Sequence, residues 1–352
     1  MSDGGKYMDK WQRFLTAARL EEPDEVPVAL IVDSPSLPGF IGSAVLEYYL
    51  IQEHWIRANL FVLNRFPEVV FFPGFWVEYG MLIEPSAFGC HLKWKKDGLP
   101  TPMGIIRKCE EIDELEQPVP ETDGLMPLAL ELYEHYQEVL QSQGHTIKFV
   151  AARGPLVTAA HLRGLSKFIA DLRLNPKWMH KLVDKTTTLC ITWLKAQLEV
   201  IDDPLGIFVL DDIPGLLSPN LFEEFGYQTL KAIFQDFGGM LKVFHCDSNT
   251  SHILEKLADT GFNVFNYDYE MDTAEVKKRV GHKVCLMGNI PPLETLVEGK
   301  PDEVFEASKQ CILEAKEGGG YVLSAGGGVS STPPPENIDA MVNAVKQFGK
   351  YR

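Results

Sequence analysis

Positive charge is scarce in this 352-residue chain: 33 Lys and Arg stand against 49 Asp and Glu, a formal net charge of −16. Nucleic acid and anionic membrane both need a basic face to neutralise phosphate, so neither is an expected partner. No stretch reaches about 18 consecutive apolar residues, and the opening Met-Ser-Asp-Gly-Gly-Lys has no apolar signal core. A cytoplasmic location is expected. The six cysteines (Cys90, Cys109, Cys190, Cys246, Cys285 and Cys311) include no CxxC pair, which argues against a disulfide scaffold and a zinc ribbon. The glycine-rich segment from Leu323 to Val329 matches neither GxGxxG nor GxxxxGK[ST], so nucleotide binding has little support there, although its backbone N–H groups could cradle an anion.

What the chain does have is 45% hydrophobic and 23% charged residues, enough for a sizeable core. Short apolar runs rich in β-branched and aromatic residues occur at 26–32, 69–72, 147–151, 206–210, 241–244, 262–267, 284–287 and 321–323. Buried parallel strands read this way. Helical patterns separate the later runs: Ser218 caps one helix with Pro219 in its first turn, Thr250 or Ser251 starts another, and Thr273 opens a third. Eight strands joined by helices predict an α/β fold, a (β/α)8 TIM barrel with an N-terminal extension, although an open doubly wound sheet gives the same local pattern. Residues 85–125 carry little periodicity and many breakers, among them Gly98-Leu99-Pro100-Thr101-Pro102, and read as an inserted cap or lid. No linker divides the chain, so residues 1–352 are expected to form a single domain.

In such a barrel the residues just after each strand become neighbours on one face. That rule gathers Asp33, Arg153, Asp211 with Asp212, His245 with Asp247, Asp268, Asn289 and Ser324. Acidic groups dominate this ring, and buried carboxylates that share no counter-charge are costly, so a divalent metal or a shared proton is expected. In His245-Cys246-Asp247, residues i and i+2 of a strand face the same way, so His245 and Asp247 can converge on one ion. A strand-capping histidine is the plainer alternative. Glu224, early in the following helix, is a third candidate ligand, or simply complements the helix dipole. Trp76 and Tyr267, with Phe75, Tyr79 and Tyr269, could line an aromatic-binding pocket, or pack in the core.

The sequence resembles the uroporphyrinogen decarboxylase-like superfamily, particularly its methyltransferase branch. The carriers are Leu210-Asp211-Asp212, then Leu217-Ser218-Pro219-Asn220-Leu221-Phe222-Glu223-Glu224-Phe225, Val243-Phe244-His245-Cys246-Asp247, Met287-Gly288-Asn289-Ile290, and Leu323-Ser324-Ala325-Gly326-Gly327 before Thr332-Pro333-Pro334-Pro335-Glu336-Asn337-Ile338. The arginine-rich segment by which true uroporphyrinogen decarboxylases resemble one another is replaced here by Asp33-Ser34-Pro35-Ser36-Leu37. Thiol-activating members use a zinc held by His-x-Cys and a distant cysteine. His245 matches the first ligand, whereas Asp247 and Gly327 stand where the resemblance implies sulfur.

A His and carboxylate site is harder than one built on thiolates and suits an oxygen substrate. The resemblance therefore implies methyl transfer from an O-methyl substrate, such as a methoxylated aromatic, to the cob(I)alamin of a separate corrinoid protein. Zinc would be held by His245, Asp247 and Glu224. Asp211, Asp212, His245 and Asp268 are the expected catalytic residues, and Asp33, Trp76, Arg153, Tyr267, Asn289 and Ser324 the substrate-binding ones. No Asp-x-His-x-x-Gly segment is present, so the cobalamin is expected on a docking partner; superfamily members also imply a homodimer. The alternatives are a metal-independent decarboxylase and a non-catalytic accessory barrel.

Overall fold

The computed structural model describes residues 8–351. Its frame is eight parallel strands: β1 (Val28–Ile31), β2 (Val69–Phe72), β3 (Phe149–Arg153), β4 (Gly206–Leu210), β5 (Leu241–Cys246), β6 (Val264–Tyr267), β7 (Cys285–Ile290) and β8 (Tyr321–Ala325). Each apolar run of the sequence overlaps one of them, and four strands run two or three residues past the end of their run. Hydrogen bonding follows the order β2-β1-β8-β7-β6-β5-β4-β3. The sheet curls into a TIM-barrel-like α/β fold with helices outside, and the strands are buried on both faces as parallel strands require.

The ladder does not close between β2 and β3. Aromatic side chains fill that seam: Phe72 lies 4.5 Å from Phe149 and 4.8 Å from Phe208. The N-terminal helix, Lys10–Ala18, packs over it with Trp11 at 6.1 Å from Phe149 and Phe14 at 5.9 Å from Phe72. An open strand edge leaves backbone groups unpaired, and here side chains satisfy them. The Gln197 amide, fully buried on the helix Pro176–Val200, donates to Ala151 O (3.0 Å) and accepts from Ala151 N (3.2 Å). Glu84 accepts from Arg153 N (2.7 Å), and Lys10 Nζ donates to Val69 O (3.0 Å).

Between β2 and β3 the chain also forms an antiparallel hairpin, His91–Lys93 with Thr101–Met103, inside the segment read as an insertion. Ser218 caps its helix as expected, accepting from Leu221 N at 3.4 Å. The chain then runs through a π-helical turn, Phe222–Tyr227, before the regular helix Gln228–Asp236. Thr273 opens the helix Thr273–Val280 behind an Asp272 cap. Neither Thr250 nor Ser251 starts a helix; that element is Leu254–Ala258. The Thr250 hydroxyl is buried against Met271 Sδ at 3.6 Å, so it does not serve as a cap. No helix among the described residues is long and apolar enough to cross a membrane.

Gln197→Leu should lower unfolding free energy by about 2–4 kcal/mol, because it strands a buried N–H and a buried C=O of β3. Urea denaturation checks this; a loss under about 0.5 kcal/mol would show that the seam does not depend on the amide.

Candidate functional site

Strand ends build the site. Near the end of β5, His245 turns inward with its side chain buried. Its Nδ1 lies 2.7 Å from Asn266 Oδ1 on β6, while Asn266 Nδ2 donates to Met287 O (2.8 Å) and Ala325 O (3.0 Å). Those two carbonyls fix the amide orientation, so Nδ1–H donates to Asn266 and Nε2 is left facing the barrel mouth. There it meets Asp247 Oδ1 at 3.4 Å and Asp212 Oδ1 at 4.0 Å. Asp212 Oδ1 also accepts from Asp247 N at 2.8 Å, tying the ends of β4 and β5 together. Burial alone would lower the imidazole's pKa, but Asp247 first, then Asp212 and Asn266, raise it to about 9. Burial opposes ionisation of Asp247; His245 and the Gly328 N–H at 3.3 Å nevertheless hold its carboxyl below the usual range.

One donor atom each from Asp212, His245 and Asp247 lies within 4.8 Å of the others. A tetrahedral zinc with bonds of about 2.0–2.1 Å spaces its ligands about 3.3 Å apart, so modest rotations close this shell. The glycine turn after β8 makes room for it. Gly327 has φ +127°, and a Cβ there would stand 2.4 Å from Asp247 Oδ1. One nitrogen oriented by Asn266 and two carboxylates that accept from Asp247 N and Gly328 N fit a zinc-sized divalent ion.

The opposite side of the mouth is a second polar group. Gly74 and Phe75 adopt left-handed φ values of 79° and 53° after β2, turning the chain so that Trp76 and Glu78 enter the barrel. Phe75 is held in that conformation by Trp55 (6.1 Å) and His145 (5.8 Å). The Arg153 guanidinium stacks 4.9 Å over Trp76 and lies 3.8 Å from Asp33 Oδ2, while its Nε is buried without a hydrogen bond. Glu78 accepts from Ser34 N (3.0 Å) and from Gly80 N, and burial raises its pKa. Burial first, then Glu78, push the Asp33 carboxyl up to about 7. Between the two groups runs an aromatic floor: Trp76 lies 6.2 Å from Phe208, and Phe208 6.1 Å from His245.

The remaining expected residues are distributed as follows. Asp211 is fully buried, and its carboxylate accepts from Leu156 N (2.8 Å), Val157 N (3.1 Å) and Ile213 N (3.2 Å), capping the helix Pro155–Arg163 across the β3–β4 boundary. Asp268 is buried and accepts from Glu270 N at 2.6 Å, and burial raises its pKa. Asn289 donates to Met271 O (2.6 Å) and Tyr269 O (3.4 Å); its Oδ1, like Ser324 Oγ opposite it in register, is buried without a partner. Two residues do not reach the mouth. Tyr267 turns outward, its hydroxyl 3.2 Å from Thr273 Oγ1. Glu224 is half-exposed on the π-helical turn and pairs with His180 at 3.1 Å, so Asp212 takes the third place beside His245 and Asp247. Sequence reasoning missed Asn266, Glu78, Glu84 and Phe208. A lone amide inside an apolar strand and a lone acid in Phe75-Trp76-Val77-Glu78-Tyr79 were the available signals.

The family model described as uroporphyrinogen decarboxylase (URO-D) matches residues 9–348. The uroporphyrinogen decarboxylase of Coxiella burnetii is 26% identical over 308 residues, 83% of this chain and 81% of that protein. Its counterpart in Actinobacillus pleuropneumoniae is 25% identical over 279 residues, 77% of each. A methyltransferase from Methanosarcina mazei superposes with a TM-score of 0.82 at 22% identity, covering 97% of this chain and 99% of that one, which shows a shared fold.

Asp33 carries a folded-state pKa raised above its unfolded value, so its contribution to stability is fully present below about pH 4 and is lost as pH rises through 7. Asp33→Asn should remove that loss, raising stability at pH 8 relative to wild type by at least about 1 kcal/mol. Thermal unfolding at pH 5 and pH 8 checks it; an equal shift at both values contradicts the assignment.

Proposed function

This chain belongs to the uroporphyrinogen decarboxylase family, and we propose that within it the protein is a methyltransferase that moves a methyl group from an O-methyl substrate, such as a methoxylated aromatic, to the cob(I)alamin of a corrinoid protein. The observation that carries this reading is the donor set: one imidazole nitrogen and two carboxylates, with donor atoms within 4.8 Å of one another, at the end of an aromatic floor. A bound zinc would supply Lewis acidity toward the ether oxygen, a hard ligand matched by hard donors. Asn266 orients His245, and the N–H groups of Asp247 and Gly328 orient the two carboxylates. Trp76 and Phe208 make the wall between His245 and Arg153 apolar, a lining suited to an aromatic substrate.

A partner at the mouth fits the surrounding surface. Leu216, Tyr269 and Leu293, which follow β4, β6 and β7, are 52%, 37% and 40% exposed, and Met103 on the hairpin is 54% exposed. Apolar groups ringing a polar site suit a protein that must bring a second reactant over it. The decarboxylase relatives favour a second reading, loss of carbon dioxide from a porphyrinogen acid. Arg153 is a single cation among Asp33, Glu78 and Glu84, a poor counter-charge for a substrate bearing many carboxylates.

Zinc titration into metal-depleted wild type should saturate near one ion per chain, and His245→Ala should weaken that affinity at least about 100-fold. Methyl transfer from a methoxylated aromatic to free cob(I)alamin should fall with it. Undiminished transfer in His245→Ala would sink the reading.

A further inference from the structure

Lysines in this chain mostly stand against carboxylates, but Lys10 and Lys148 do not. Lys10 opens the N-terminal helix and Lys148 immediately precedes β3. Both line a cavity of about 310 Å3 beside the open seam, walled by the helix Gln52–Arg65 and by the turn after β2. That volume falls at the small end of the roughly 300–1,000 Å3 typical of small-molecule sites. Trp11, Val62, Phe71 and Phe75 give the cavity an apolar wall, and no Asp or Glu lines it among the described residues. Asp9, the acid next to Lys10, is turned to cap the helix, accepting from Trp11 N (2.8 Å) and Gln12 N (2.9 Å). In a chain of net charge −16, a cavity with two ammonium groups and no acid is a local exception. We propose that it is a binding site for a small aromatic carboxylate, the anion held by Lys10 and Lys148 and the ring lying against the apolar wall.

Each ammonium has donors to spare. Lys10 Nζ gives one N–H to Val69 O (3.0 Å), and Lys148 Nζ gives one to Thr146 Oγ1 (3.2 Å) while lying 5.4 Å over the Trp11 ring. An ammonium carries three such donors, and neither lysine has an ion-pair partner among the described residues. Burial lowers the Lys10 pKa against the pull of Asp9, the mark of a cation drawn from water without a full counter-charge. A carboxylate supplies that charge and accepts from both ammonium groups. An inorganic anion would leave the apolar wall wet, and a neutral ring would leave the ammonium groups unpaired, so the two halves of the lining call for a molecule that carries both. The wall includes Gly74 and Phe75, which lead directly into Trp76, so an occupant bears on the turn that carries Trp76 to the mouth. None of the lining residues belongs to the metal triad, and the site stands whether or not the methyl-ether reading does.

The test is fluorine NMR of the full chain labelled with 5-fluorotryptophan, in which Trp11 reports on the cavity and Trp76 on the mouth, each resonance assigned by its Trp→Phe variant. Benzoate, benzamide and benzylamine share one ring and differ in charge. Benzoate should shift the Trp11 resonance saturably with a Kd of about 1 mM or tighter, benzamide at least about tenfold more weakly, and benzylamine more weakly still. Lys148→Met, which keeps an aliphatic stem over Trp11, should weaken benzoate at least about tenfold, whereas Lys148→Arg, which keeps the charge, should retain it. The three ligands are compared on wild type, so the charge preference is read even if a variant fails to fold. A Trp11 resonance that benzoate leaves unmoved, equal binding of benzoate and benzamide, or a benzoate shift confined to Trp76, which would place the anion at the mouth, would each overturn the assignment.

Discussion

The constraint on which this protein turns is the burial of carboxylates at one end of a barrel. Glu78, Glu84, Asp211 and Asp268 are buried there and Asp33, Asp212 and the exposed Asp247 stand beside them, against two basic side chains, Arg153 and His245. Desolvation opposes ionisation of the buried ones without partners. The chain resolves this in three ways. Backbone N–H groups hold Asp211, Glu78, Glu84 and Asp268. His245 gathers Asp212 and Asp247. Burial pushes the Asp33 carboxyl, like that of Asp211, up to about 7. Each solution sets the same residue type in a different environment: tied to backbone, gathered around an imidazole, or left facing a guanidinium.

The open seam serves the same end. A closed ladder between β2 and β3 would pair the Arg153 and Ala151 N–H groups with backbone. With the edge free, Glu84 and Gln197 take those positions, and the chain after β2 can fold inward to deliver Trp76 and Glu78. The hairpin that rises from this region carries Trp94, which packs against Tyr49 and Tyr79 at 6.0 Å from each. Tyr49 in turn donates to Ser34 Oγ, next to Asp33. The insertion is thus coupled by contact to the acid side of the mouth.

Much of this is legible in the sequence, because a parallel strand announces itself as an apolar run and the residue after it points to a known face. Asp33, Arg153, Asp212, His245, Asp247 and Asp268 emerge that way. Side-chain parity is harder to read: Asn266 on β6 and Asp268 just past its end are two apart, which leaves Tyr267 on the outer face against Thr273. Glu224 is expected at the site because a helix following a strand can return to the mouth. A π-helical turn sets it against His180 instead, and no sequence pattern announces that turn. Asp211 and Asp212 are adjacent and alike, yet one caps a helix and the other faces His245; only the position of the neighbouring helix N-terminus separates them.

The central claim is that this chain holds a hard, sulfur-free metal site for an oxygen substrate. Zinc-edge X-ray absorption on the zinc-loaded protein tests it most directly. The account predicts only nitrogen and oxygen neighbours at about 2.0–2.2 Å, and a change in that shell when a methoxylated aromatic is added. A zinc–sulfur shell at about 2.3 Å, or a spectrum of zinc surrounded by water alone, would contradict it.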